Sequence, residues 1–160
     1  MQALKLFILM TFFAGLTACG GNKDSQPKTA PGVQTEASPS TGNYDPNRGE
    51  GKFSSENLTL DAALNASMAD AGEKIANVKC TSCHKLTDEK LVGPGWKGVT
   101  SRRTPHWIMN FITNPDPMIN QDPELQAQLE LCLVRMPNQS LTEDDARNIL
   151  EFMRKNDGIK

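Results

Sequence analysis

Cys80-Thr81-Ser82-Cys83-His84 sets two thiols three positions apart and an imidazole directly after the second. A C-x-x-C-H run is the pattern of covalent haem attachment. Two thioethers must reach two vinyl groups on one haem edge while the adjacent imidazole rises to the iron. Shifting the histidine by one residue breaks that geometry. Other chemistries compete for the same thiols. A thioredoxin-like redox pair wants its C-x-x-C at a helix start after a strand, and no strand-rich flank is visible. A zinc knuckle wants a second Cys or His pair at ligand spacing, and only His106 and Cys132 remain, isolated from each other. A Cys80–Cys83 disulfide is the rival to haem attachment, and Cys132 reads as a free, buried, small apolar side chain.

The sixth iron position decides what such a centre does. With His84 alone the iron stays open to gases or peroxide, whereas a thioether opposite closes it and raises the reduction potential. Met136 is the candidate: Pro137 restricts it to extended backbone, which suits a loop side chain aimed at iron, and its soft sulfur is a compatible donor. Met118, within Pro117-Met118-Ile119, is the runner-up. Met68 and Met109 sit on helical stripes and read as core. His106 falls in the first turn after Pro105 and reads as surface. Lys79, Lys85, Lys97, Arg102 and Arg103 cluster in sequence around these segments and could present a positive rim to an acidic partner.

Helices must carry these residues, since no stretch alternates as a strand. Leu64, Met68, Ala71, Gly72, Ile75 and Val78 fall at helical spacing before the thiols. Thr142-Glu143-Asp144-Asp145 reads as an N-cap with acids in the first turn, Leu141 and Ala146 as a hydrophobic staple. Ala146, Ile149, Leu150 and Met153, with Phe152 at the margin, then form a buried stripe. Gly72 lets this last helix approach closely. Thr104-Pro105 starts a helix that Asn114-Pro115 stops, Asn114-Pro115-Asp116-Pro117 reads as a turn, and Asp122-Pro123 starts another helix from Glu124 to Leu133. Trp107 and Phe111 are core. The expected fold class is all-α.

Ahead of this domain lie export signals. Lys5 and the apolar run that follows read as a secretion signal, too short to span a bilayer. Leu16-Thr17-Ala18-Cys19 resembles the lipobox of bacterial lipoproteins, whose cysteine is acylated after cleavage. Each buried methylene contributes about 0.8 kcal/mol, so two or three chains on Cys19 hold a protein on a membrane. From Gly20 to about Ser55 the composition cannot repay its ordering entropy, and as a flexible coil of roughly 40 residues it reaches about 35 Å. The expected division is 1–18 signal peptide, 19–58 disordered tether and 59–160 folded domain. A net charge of −2 and a pI of 5.7 give nucleic acid no basic face to bind.

The stretch from residue 66 to 155 resembles the small monohaem class I cytochrome c family. The likeness lies in Ala71-Gly72-Glu73-Lys74-Ile75 before C-x-x-C-H, in Leu91-Val92-Gly93-Pro94-Gly95-Trp96-Lys97-Gly98-Val99, and in Met136-Pro137 before a closing helix. It implies crossed N- and C-terminal helices, loops wrapping one covalent haem c, and Cys80, Cys83, His84 and Met136 holding that haem. It further implies that the Pro94 carbonyl accepts from Nδ1 of His84 and that Trp96 packs on or near the haem. Asp116 to Leu133 is an insertion relative to the simplest members. The implied function is that of an electron carrier, not an enzyme, working between a quinol-oxidising complex and a terminal reductase or oxidase. With the lipobox, the chain looks similar to small lipoprotein cytochromes of anaerobic respiration in Bacteroidota-like bacteria, including those that feed nitrous oxide reductase. The expected location is a bacterial membrane, with the domain facing the periplasm. A small haem peroxidase or gas-binding protein, and a lipid-anchored thiol-disulfide protein, are the alternatives.

Overall fold

The computed structural model describes residues 44–160. The expected signal peptide, Cys19 and the tether as far as residue 43 lie outside the described residues. Six helices and no strand occur among those described: α1 Ala66–Lys79, α2 Val99–Arg102, α3 Pro105–Thr113, α4 Pro115–Gln121, α5 Pro123–Cys132 and α6 Glu143–Asn156.

Capping chemistry sets most of the boundaries. Asn65 accepts from the Met68 amide at the head of α1, and Thr104 accepts from Trp107 ahead of the first-turn Pro105 of α3. Asp122 accepts from Glu124 and Leu125 at the head of α5. Thr142 and Asp145 form a reciprocal capping box on α6, whose first turn is acidic and last turn basic, as the helix dipole favours.

The two terminal helices cross at Gly72. A Cβ there would run into the Asn148 carbonyl and come within 2.8 Å of the Ile149 nitrogen, so the backbones touch directly. Lys155 adds ion pairs to Asp70 at 2.8 Å and Glu73 at 3.3 Å. Ala146, Ile149, Leu150 and Met153 are buried as the stripe requires, and Phe152 is buried with them. On α1 the buried residues are Ala69, Gly72 and Ala76, and Val78 is 82% exposed. The buried face is thus rotated from the expected stripe, because close crossing selects the smallest side chains and not the largest.

Two further expectations are corrected. Asn114 to Pro117 is no turn: Pro115 opens α4 at its first position, where the missing N–H has no helical partner to lose. The domain also begins before residue 59. Residues 44–58 form a strap over α3 to α5, with Phe53 buried and Tyr44 donating to Asp122 Oδ2 at 2.8 Å. Buried Asn110 holds the strap backbone from both sides. Its Oδ1 accepts from Phe53 N at 2.9 Å, and its Nδ2 donates to Arg48 O and Phe53 O at 3.0 Å each. Polar partners on a distant helix order this segment, and local composition cannot show them.

Candidate haem site

The last turn of α1 leads straight into the thiol pair. The amides of Cys83 and His84 both bond the Cys80 carbonyl, at 3.0 and 2.9 Å, so one helical turn carries all three side chains. Both thiols are free, not a disulfide. Burial pushes the Cys80 thiol up to about 11, the opposite of the lowered value a thiol–disulfide catalyst needs. Among the described residues no group of three or more His, Cys, Asp or Glu could hold a metal ion.

His84 is held on two sides. Its Nδ1 lies 2.8 Å from the Pro94 carbonyl oxygen; a carbonyl only accepts, so Nδ1 carries the proton and Nε2 keeps its lone pair. Burial lowers the imidazole below its ordinary value, outweighing the Pro94 bond, which favours the neutral ring a metal requires. A Cβ on Gly93 would meet the ring at 2.5 to 3.0 Å, so the imidazole rests on bare backbone. Amides of Val92 and Gly93 bond the Cys83 carbonyl, and the Trp96 amide bonds Lys85 O at 2.9 Å. These bonds seat the Pro94 loop against the thiol turn. Trp96 is buried with its ring centroid 5.7 Å from that of His84 and 6.3 Å from that of Phe152 in α6. Two free thiols on one helical turn, a neutral imidazole with Nε2 unspent and a glycine beneath it fit covalent haem.

Candidate sixth ligands are placed differently. Met136 is partly buried against the core, in the segment between α5 and α6. Met118 is fully buried, its thioether against Gly49 of the strap. Met109 is core and Trp107 is buried, stacked at 4.9 Å on the half-buried Phe111. His106 is not on the surface as expected: it is half-buried, with Nε2 3.4 Å from the Leu58 carbonyl.

The expected positive rim is only partly free. Lys85 pairs with Glu89 and Arg103 with Glu124, each at 2.6 Å, while Lys79, Lys97 and Arg102 donate to backbone carbonyls. Cys132, expected to be buried, is half-buried on an open pocket of about 240 Å³ between the Pro94 loop and the end of α5. Sequence reasoning missed Asp157, whose carboxylate accepts from the Gly98 and Thr100 amides at 2.6 and 2.9 Å and so caps α2 from the end of α6. Only its position just past a helix hinted at such a role.

The cytochrome c family model matches residues 69–157, more than half of the chain. Among solved structures, cytochrome c from Rhodothermus marinus is 35% identical with a TM-score of 0.61, the match covering 66% of this chain and 90% of that one. An engineered form of that protein is 34% identical over the same shares, also at 0.61. The engineered form bound to a carbene intermediate gives 0.58 at 34% identity. No curated protein matches. Crossed helices around a C-x-x-C-H turn, the family match and these neighbours agree on a covalently bound haem c and a haem-based electron carrier with protein redox partners: the chain belongs to the cytochrome c family.

Proposed function

We propose that this protein is an exported, lipid-tethered monohaem carrier in which Cys80 and Cys83 bind the haem and His84 and Met136 are its axial ligands. The observation that carries the reading is the 2.8 Å bond from His84 Nδ1 to Pro94 O. It fixes the tautomer and leaves the Nε2 lone pair available, as carbonyl partners do for metal-bound imidazoles. Bound there, haem supplies a ferric/ferrous couple that turns over without making or breaking a bond.

The chain's own residues supply orientation and shielding. Gly93 and Trp96 hold the imidazole plane, and Phe152 backs Trp96 from α6. Burial of Met118 beneath the strap supports Met136 as the sixth ligand. His106 is half-buried with Nε2 toward the Leu58 carbonyl, which supports the carrier reading over a peroxidase. Acylation at Cys19 keeps the domain at a bacterial membrane, facing the periplasm, within reach of a quinol-oxidising donor and a terminal reductase or oxidase, nitrous oxide reductase among them.

The test is the absorption spectrum of the full chain, expressed in an exporting host with haem maturation. A low-spin ferric spectrum with the weak far-red sulfur-to-iron band, lost in Met136→Ala, is the expected result. A high-spin or carbon-monoxide-avid haem would move the protein to the gas-binding class. Cys19→Ser is expected to shift the protein from the membrane to the soluble fraction. Unchanged partitioning would remove the lipid anchor.

A further inference from the structure

The segment that carries Met136 is bracketed by backbone that only neighbouring contacts can hold. Leu133 ends α5 with φ 59° and Ser140 has φ 50°, and non-glycine residues take left-handed geometry at a cost the surroundings must offset. Three cationic side chains supply contacts around them.

Lys79, the residue before Cys80, donates from Nζ to Gln139 O at 2.8 Å. Lys90, on the loop after His84, donates from Nζ to Leu131 O at 2.6 Å. Both bonds run from the haem-attachment side of the chain, the first to the methionine segment downstream of Met136 and the second to the last turn of α5, just upstream of it. Arg135, its immediate neighbour, forks onto α4: Nε donates to Asp116 Oδ1 at 2.7 Å, and Nη2 to Asp116 O at 3.1 Å and Asn120 Oδ1 at 2.8 Å. Met118 of that same helix is locked beneath the strap. The methionine segment is thus tied directly to the thiol turn through Lys79 and to α4 through Arg135, while Lys90 holds the end of α5 from which the segment departs.

We propose that Lys79, Lys90 and Arg135 are positioning residues that hold Met136 on the iron and keep the sixth site closed to outside ligands. The inference rests on Met136 being the sixth ligand. An external ligand binds only the fraction of molecules in which the methionine has let go, so its apparent affinity reads that fraction directly. Each clamp is a charge-assisted bond to a carbonyl or carboxylate, and removing one enlarges the open fraction.

Ferric, haem-loaded full chain is titrated with imidazole while the sulfur-to-iron band is followed. Lys79→Met, Lys90→Met and Arg135→Gln are each expected to bind imidazole roughly tenfold more tightly, the effect of one lost charge-assisted hydrogen bond. Lys79→Arg and Lys90→Arg are expected to return to wild-type affinity, and Lys74→Met, which removes the same charge from the exposed face of α1, to leave it unmoved. Wild-type affinity in all three clamp variants, or an equal rise in Lys74→Met, would overturn the proposal while leaving the band and the ligand assignment standing. A wild-type protein without the band, or with a band that survives Met136→Ala, would instead remove the ligand assignment and the proposal with it.

Discussion

Glu151 keeps its charge with 1% of its side chain exposed, and three donors make that possible. Arg147 and Arg154 bond Oε1 at 2.6 and 2.7 Å, and the Asn65 amide bonds Oε2 at 3.2 Å. Burial pushes the carboxyl up, but the two guanidinium bonds and the amide outweigh it and hold it below the ordinary carboxylate range. Arg154 continues to the carbonyls of Asp61 and Ala62, so one buried acid joins α6 to the start of α1. Glu151→Ala strands two cations and is expected to lower stability by about 3–5 kcal/mol, read from urea unfolding. The sign of the pH effect follows from the lowered value: the unfolded chain binds the proton first, so this stabilisation is complete above the unfolded pKa of about 4.3 and is lost as pH falls through the native one. Between about pH 6 and pH 3 the urea midpoint of the wild type is expected to fall further than that of Glu151→Gln; parallel curves would mean the charge contributes nothing. Gly93 has a comparable single-residue leverage. Gly93→Ala places a methyl against the His84 ring and is expected to reduce the yield of haem-loaded protein and shift its reduction potential, measured by redox titration.

At the scale of elements, caps were legible and faces less so. Thr104, Asp122 and Thr142 announce α3, α5 and α6 because a short polar side chain before a proline or an acidic turn has few other uses. Thr142→Ala is expected to cost about 1 kcal/mol of stability in thermal unfolding. The core face of α1 was misread because periodicity ranks residues by hydrophobicity, whereas the crossing with α6 ranks them by size and favours Ala69, Gly72 and Ala76. Gly72→Ala is therefore expected to destabilise by about 1–3 kcal/mol by overpacking, although alanine is the better helix former; a stabilised variant would refute the direct contact. The run Asn114-Pro115-Asp116-Pro117 was misread for a different reason. Prolines that stop one helix also suit the first turn of the next, and sequence spacing alone does not separate the two uses. The thiol turn and His84 were readable because the C-x-x-C-H pattern is local, and Pro94 was expected through the family resemblance, but the bonds of Lys79 to the methionine segment and of Lys90 to the end of α5 span 60 and 41 residues.

For the molecule as a whole, the strap changes what counts as the domain. Asn110 makes three bonds to it at 1% exposure, and Asp122 receives both Tyr44 Oη and Trp107 Nε1. A chain beginning at Thr59 strands these buried groups, so it is expected to unfold at lower temperature than one beginning at Asn43, and Asn110→Ala is expected to remove about 3 kcal/mol. Equal melting of the two truncations would show that the strap merely lies on the surface. Cys80 carries a consequence that belongs to time and not to energy. In the finished fold it is 8% exposed, within the buried cluster that also holds Ile149, Leu150, Phe152 and Met153 of α6. Until α6 docks, those partners are absent and the thiol lies open; once it docks, they cover it. Haem attachment therefore has to precede the docking of the last helix, and a chain that folds too promptly shuts out its own cofactor.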